Sequence, residues 1–368
     1  MLHTLCSTLH TETSSMPFQV PETFIEENQV VAVLTGGTEA QFVGLVNEGK
    51  IDLQKPVYML VSGYSNSLPA ALEILSFIRQ RNGVAKIMQH PKDTVFADVT
   101  DTISLTRAPL PKVLNNTFKQ RLGVLGAPSD WLIASKVDYK EVLAKLDMEL
   151  IDIDLKELTS LGAVDPGMKG AEAIHARLKE IIAKHKLDGI TLRCFDLFKA
   201  MNNTACIAVS KLNDEGIPAA CESDIPSLLT MMVIKRITNE PGFLCNPARI
   251  LPDGQILLSK CTLPLSMTSK HEFTTHFESG IGVAIHGEVP AGEYTLVKLA
   301  PDMKRLLAVN VTVTRCQYEQ SLCRTQIWIQ STPIVSQYLL TSPLSNHHIL
   351  IKGHHAAKFW RENDNFGL

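Results

Sequence analysis

No apolar run in this chain approaches the ~20 residues that a membrane-crossing helix requires. The longest, such as Val30 to Leu34 and Val57 to Val61, reach about a quarter of that, so no membrane partner is expected. A basic cluster is equally absent: 35 Lys+Arg stand against 38 Asp+Glu, for a net charge of -3. The electrostatic footprint of nucleic-acid binding is therefore missing. There is no Cys-x-x-Cys pair, which argues against a structural zinc site. The eight cysteines, at 6, 194, 206, 221, 245, 261, 316 and 323, are widely scattered, and several sit in apolar strand-like runs. That usage predicts buried thiols in a reduced, cytoplasmic protein, without a disulfide framework. Met1 to Glu12 carries neither a charged start nor a long apolar stretch, so a loose leader over residues 1–24 is expected in place of a secretory signal.

What is present is the composition of a globular chain of two or three domains: 368 residues, 45% hydrophobic and 20% charged. From Val30 onward, short β-branched runs alternate with helical periods, the mark of βαβ units. Val30 to Leu34, Val57 to Ser62 and Ala85 to Met88 read as strands. A helix entered through Pro69 carries Leu72, Ile74, Leu75 and Ile78 on its apolar side. These make a first α/β unit over residues 25–117, followed by a linker at Ala108 to Lys112. A second unit over 118–215 contains the strands Arg121 to Leu125, Leu150 to Ile153 and Ile190 to Phe195, with helices at Ala173 to Lys186 and near Thr204 to Leu212. Its alternation runs on into the strand Ile217 to Cys221. Beyond residue 240 the strands shorten, and turns such as Pro252-Asp253-Gly254 and Pro290-Ala291-Gly292 separate them. The fold class read from the text is α/β: two Rossmann-like parallel-sheet α/β units, then a mostly antiparallel β C-terminal domain over 216–368 with a barrel-like sheet.

Three acids follow directly on predicted strands: Asp196 after Ile190 to Phe195, and Glu222 and Asp224 after Ile217 to Cys221. If a right-handed crossover joins those strands, their carboxyl ends open on one sheet edge, where α/β proteins place ligands. Converging carboxylates repel one another, and a divalent cation or a proton must offset that repulsion. Simpler readings stand beside this one. Asp224 precedes Ile225-Pro226 and so suits a helix cap; Glu222 suits a solvated loop. In Asn346-His347-His348 the two imidazoles point to opposite faces of a strand, so at most one can serve a given site. His354 and His355 read as surface residues near the chain end. Gly36-Gly37 after a strand reads as an anion cradle or a tight turn, and Ser67 as a helix cap.

The text Asp188-Gly189-Ile190-Thr191-Leu192-Arg193-Cys194-Phe195-Asp196, with Leu212-Asn213-Asp214-Glu215-Gly216-Ile217-Pro218-Ala219-Ala220-Cys221-Glu222-Ser223-Asp224-Ile225-Pro226-Ser227 and Asn246-Pro247-Ala248-Arg249-Ile250, resembles the L-fucose and L-arabinose isomerase superfamily. It is most similar to the shorter fucose isomerase-like proteins. The likeness continues through Lys260-Cys261-Thr262-Leu263-Pro264, His276-Phe277-Glu278-Ser279-Gly280, Leu322-Cys323-Arg324-Thr325-Gln326 and Asn346-His347-His348. It is weaker at Gly36-Gly37-Thr38-Glu39, at Asn66 to Glu73 and at Ser129-Asp130-Trp131. The resemblance implies a metal-dependent aldose-ketose isomerase in which Mn is held by two acids and a histidine. Asp196 resembles the first acid, often Glu in the family. Asp224 or Glu222 resembles the second, depending on which branch is compared, and His347 resembles the metal histidine. It further implies a monosaccharide or modified monosaccharide substrate, enediol chemistry in which the acids also move protons, and a homo-oligomer. The alternatives are a silent sugar-binding protein on the same fold, or a lyase or epimerase using the same enediol.

Overall fold

The three strand-like runs of the first unit, joined by an N-terminal segment, form four parallel strands, β1 (Leu2–Leu5), β2 (Gln29–Val33), β3 (Val57–Val61) and β4 (Ala85–Gln89), hydrogen-bonded in that order. The computed structural model describes residues 1–8, 20–89 and 119–360; the expected linker at Ala108 to Lys112 and the boundary at 117/118 lie outside the described residues. Strands β2 and β3 are buried almost throughout, as a parallel sheet covered on both faces requires. Part of the expected leader is instead structural, because Leu2 pairs with Val30 and Leu5 with Val33. Joining a free sheet edge is a tertiary choice that four residues of local composition do not encode.

The second sheet is also parallel and has the order β6-β5-β7-β8, from β5 (Gln120–Leu125), β6 (Met148–Ile153), β7 (Gly189–Leu192) and β8 (Ala219–Ala220). The last two strands are shorter than the text suggested. After β7 the chain tightens into a 3₁₀ turn at Cys194–Asp196. After β8 it passes through two left-handed residues, Glu222 (φ 62) and Ser223 (φ 49). Because β8 pairs with β7, residues 219–220 extend the second sheet past the boundary expected at 215. The helix Met168–His185 turns Ile174, Leu178, Ile181 and Ile182 into this core, matching their helical spacing.

The remaining strands are antiparallel. They are β9 (Phe243–Ile250), β10 (Gln255–Lys260), the separate hairpin β11 (Lys270–Thr274) with β12 (Ala284–Glu288), then β13 (Gly292–Leu299), β14 (Leu306–Gln317), β15 (Thr325–Gln330) and β16 (His348–Lys352). All but the hairpin close into a barrel in the order β10-β15-β14-β13-β16-β9. Strand alternation lets this wall serve two cores. Leu296 and Leu350 pack with the first sheet's core, while Val297, Ile349 and Ile351 pack with the second. Each such fully buried side chain contributes about 1.5–3 kcal/mol. The result sets the carboxyl ends of both parallel sheets, and one end of the barrel, around a shared cavity.

Candidate active site

That cavity measures about 180 Å³, the liquid share of about six waters, a space for one small polar molecule. Gly36 and Glu39 reach it from the end of β2, Asn66 from β3, Trp131 from beyond β5, Glu222 from β8, Lys260 from the end of β10, and His347 from the residue before β16. A larger space of about 650 Å³ lies beside Met168 and Phe273, but no titratable side chain lines it. Glycine is required at 36 because a Cβ there would sit 2.8 Å from Asn66 Cβ. Asn66 itself is left-handed, with φ 57, and donates its amide to Glu278 at 2.6 Å.

Backbone strain aims the central acid. Two successive non-glycine residues at positive φ cost of order 1 kcal/mol or more each, and they turn Glu222 from the end of β8 into the cavity. Its Oε2 accepts from Trp131 Nε1 at 3.1 Å, and its Oε1 accepts from the Lys260 ammonium. Burial alone would raise the Glu222 carboxyl, but the Lys260 charge and the hydrogen bonds from Lys260 and Trp131 pull it down to about 2. Lys260 is buried; the loss of water works against its charge, and the Glu222 carboxylate outweighs that loss and holds the ammonium well above the ordinary lysine range.

Asp224 has the expected capping role and a second one. Its Oδ1 accepts from Ser227 N at 2.9 Å at the start of the helix Ile225–Thr238, while its Oδ2 sits 2.7 Å from His347 Nδ1. Burial pushes Asp224 up, but Lys298 and the hydrogen bonds from His347 and Ser227 hold it far below the usual carboxylate range. An ionised Asp224 requires His347 Nδ1 to be the donor, so Nε2 is the acceptor for Lys260 Nζ at 2.9 Å. Burial, then the Lys260 charge, lowers the His347 pKa and keeps the ring neutral. Glu73 ties the surroundings together: it accepts from Asn346 N (3.1 Å), Ala134 N (2.8 Å) and Ser135 Oγ (3.0 Å).

The text did not single out Glu39. Its carboxyl is buried, Oε2 has no hydrogen-bond partner among the described residues, and burial pushes its pKa up to about 8. The cavity therefore brings together an ionised carboxylate, Glu222, and a neutral carboxylic acid, Glu39, beside a third carboxyl in its lining, Glu278. The signal available in the sequence was the position of Glu39 right after a strand and a Gly-Gly turn, the same sheet edge that drew attention to the later acids.

Asp196 does not join them. The 3₁₀ turn faces it outward, 42% exposed, in an ion pair with Arg193 Nε at 2.6 Å, and Arg193 in turn stacks over Trp131. We expect Asp196→Asn to change stability by less than about 1 kcal/mol, the range of an exposed pair, and to leave turnover unchanged. Urea titration and steady-state rates check this; a lost active site in a folded variant would return Asp196 to the chemistry. His348 lies on the other face of its strand, as expected, buried against Tyr338. All eight cysteines are free thiols, and Cys194, Cys206, Cys221, Cys261 and Cys323 line a small void behind Glu222 and Lys260.

The donor set expected for Mn is not assembled. Asp224 addresses Nδ1 of His347, Lys260 covers Nε2, and Asp196 is outside. Among the described residues no group of three or more His, Cys, Asp or Glu side chains is disposed to hold an ion. The residues present do not fit a divalent cation in this arrangement.

No family model matches the chain. It is similar to sulfoquinovose isomerases of Priestia aryabhattai and Priestia megaterium, at 23% identity over 266 residues, 62% of this chain and 59% of each relative. A third sulfoquinovose isomerase, from Alkalicoccus urumqiensis, is 30% identical over 84 residues, 23% of this chain and 19% of that protein. The matches thus span less than two thirds of the relatives' length. No helix among the described residues is long and apolar enough to cross a membrane.

Proposed function

We propose that the chain interconverts an aldose and a ketose of a monosaccharide or modified monosaccharide through an enediol. The observation that carries this reading is the pairing, in one small cavity, of an ionised Glu222 with a neutral Glu39, two carboxyls whose environments drive their pKa values apart to about 2 and about 8. Glu222 takes the proton from C2 of the aldose. The C2–H electron pair becomes the C1–C2 double bond, the carbonyl pair moves to O1, and O1 receives the Glu39 proton. In the second half, the Glu39 carboxylate takes the O2 proton, C2 becomes the carbonyl, and Glu222 returns its proton to C1. Both acids end as they began. A carboxylate held near 2 is a weak base; a sugar oxygen that accepts from the Lys260 ammonium shares its charge with Glu222 and so raises the base as it is needed.

The close Lys260 clamp on Glu222 also favours a second reading, a sugar-binding protein without turnover. One experiment separates them: a panel of neutral, 6-deoxy, uronic and 6-sulfonated sugars followed by NMR in deuterated water, with and without Mn. Solvent deuterium at C1 or C2 is the expected result. Binding of a sugar with no exchange in any sample would favour the silent binder.

A further inference from the structure

We propose that the Lys260 ammonium takes the position and the electrostatic work of a divalent cation in this site. Lys260 ends strand β10, where it is held in register opposite Thr325 of β15, and its side chain is 7% exposed. Its Nζ meets both groups that would have to turn toward a metal, the Glu222 carboxylate and His347 Nε2. An ammonium has three N–H donors and no lone pair to offer a metal. With two of them on Glu222 and His347, the third is free for a sugar oxygen at the cavity, which Lys260 also lines.

The other side of the imidazole closes the alternative. Asp224 bonds Nδ1, across the ring from Nε2, so no single ion can take both His347 Nε2 and Asp224 in this arrangement. Asp196 is engaged with Arg193 at the surface. A cation entering at Nε2 would have to displace a buried ammonium from a strand fixed in a barrel wall. The catalytic half of this inference rests on the isomerase reading: Lys260 would neutralise charge growing on O1 while Glu222 takes the proton, as a fixed dipole or charge does in other acyl and enol sites. The metal half does not rest on it.

The test is calorimetric titration of Mn into the chelator-treated full chain, alongside His347→Ala and Lys260→Ala; Lys260→Met, which keeps the stem, replaces the last if the alanine variant does not fold. The expected result is that wild type and His347→Ala titrate alike, and that the Lys260 variant binds Mn at least tenfold more tightly than wild type. Wild type binding Mn tenfold or more tightly than His347→Ala overturns the proposal, and so does a Lys260 variant that gains nothing. Neither readout needs turnover, so a failure of the isomerase reading would show separately, in the deuterium exchange.

Discussion

Glu222→Gln is expected to lower turnover by about 10²–10⁴-fold, the range of a lost general base. It should also destabilise the fold by about 3 kcal/mol, because it leaves the Lys260 ammonium buried beside a neutral amide. The carboxylate is only 12% exposed, so little of that charge is screened by solvent. The double variant Glu222→Gln/Lys260→Met should recover most of the stability and none of the turnover, since a buried pair is replaced by groups that need no partner. Urea denaturation and single-turnover rates read the two quantities independently. A single variant as stable as wild type would mean that the pair carries no net electrostatic weight, and normal turnover would remove Glu222 from the chemistry.

Glu39→Gln has the opposite sign in stability. The folded-state pKa of Glu39 is raised, from an ordinary 4.5 to about 8. Below 4.5 both folded and unfolded chains hold the proton and the group is neutral to stability. As pH rises from 4.5 toward 8 the unfolded chain ionises while the folded one does not, and stability falls; above 8 the loss levels off. The variant is therefore expected to be more stable than wild type by about 3–5 kcal/mol at pH 8.5, an advantage that vanishes near pH 4.5. Turnover should fall by about 10² or more with the loss of the acid. The wild-type rate should decline above about pH 8 as Glu39 loses its proton, and that limb should be missing from what remains in the variant. Equal stability across the pH range would mean that water reaches the carboxyl and that it is not held neutral.

The alternation of strand and helix was legible because parallel strands buried on both faces read as near-continuous apolar runs, as Val30 to Val33 and Val57 to Val61 do. Placing ligands at the carboxyl ends of those strands pointed to Glu222, which lines the cavity, and to Asp224, which bonds His347. It failed at Asp196, because one 3₁₀ turn rotates a side chain out of a site without leaving a trace in composition. Glu39 was hidden in a segment that reads equally well as a tight turn. Lys260 offered a signal, a charge close behind the apolar run Ile256 to Leu258 in one strand, which demands a partner. Its partners Glu222 and His347 are 38 and 87 residues away, and only barrel closure and the packing of the second sheet against the barrel bring them together. The barrel order was likewise out of reach, since pairings such as Ile256 with Ile329 are set by long-range register and not by local pattern.

The barrel wall has a mechanical consequence for the cleft. A strand such as β16 hands Leu350 to one core and its neighbours Ile349 and Ile351 to the other, so it behaves as a party wall shared by two rooms. Neither α/β unit can loosen its packing without withdrawing contacts from the wall, and a close-packed interior transmits such a disturbance. His347 stands at the head of that wall, and the acids that line the cavity with it, Glu39 and Glu222, stand on the two units. The width of the gap between acid, imidazole and ammonium is thus fixed by the packing of both rooms at once, in place of the hinge that many two-lobed clefts rely on.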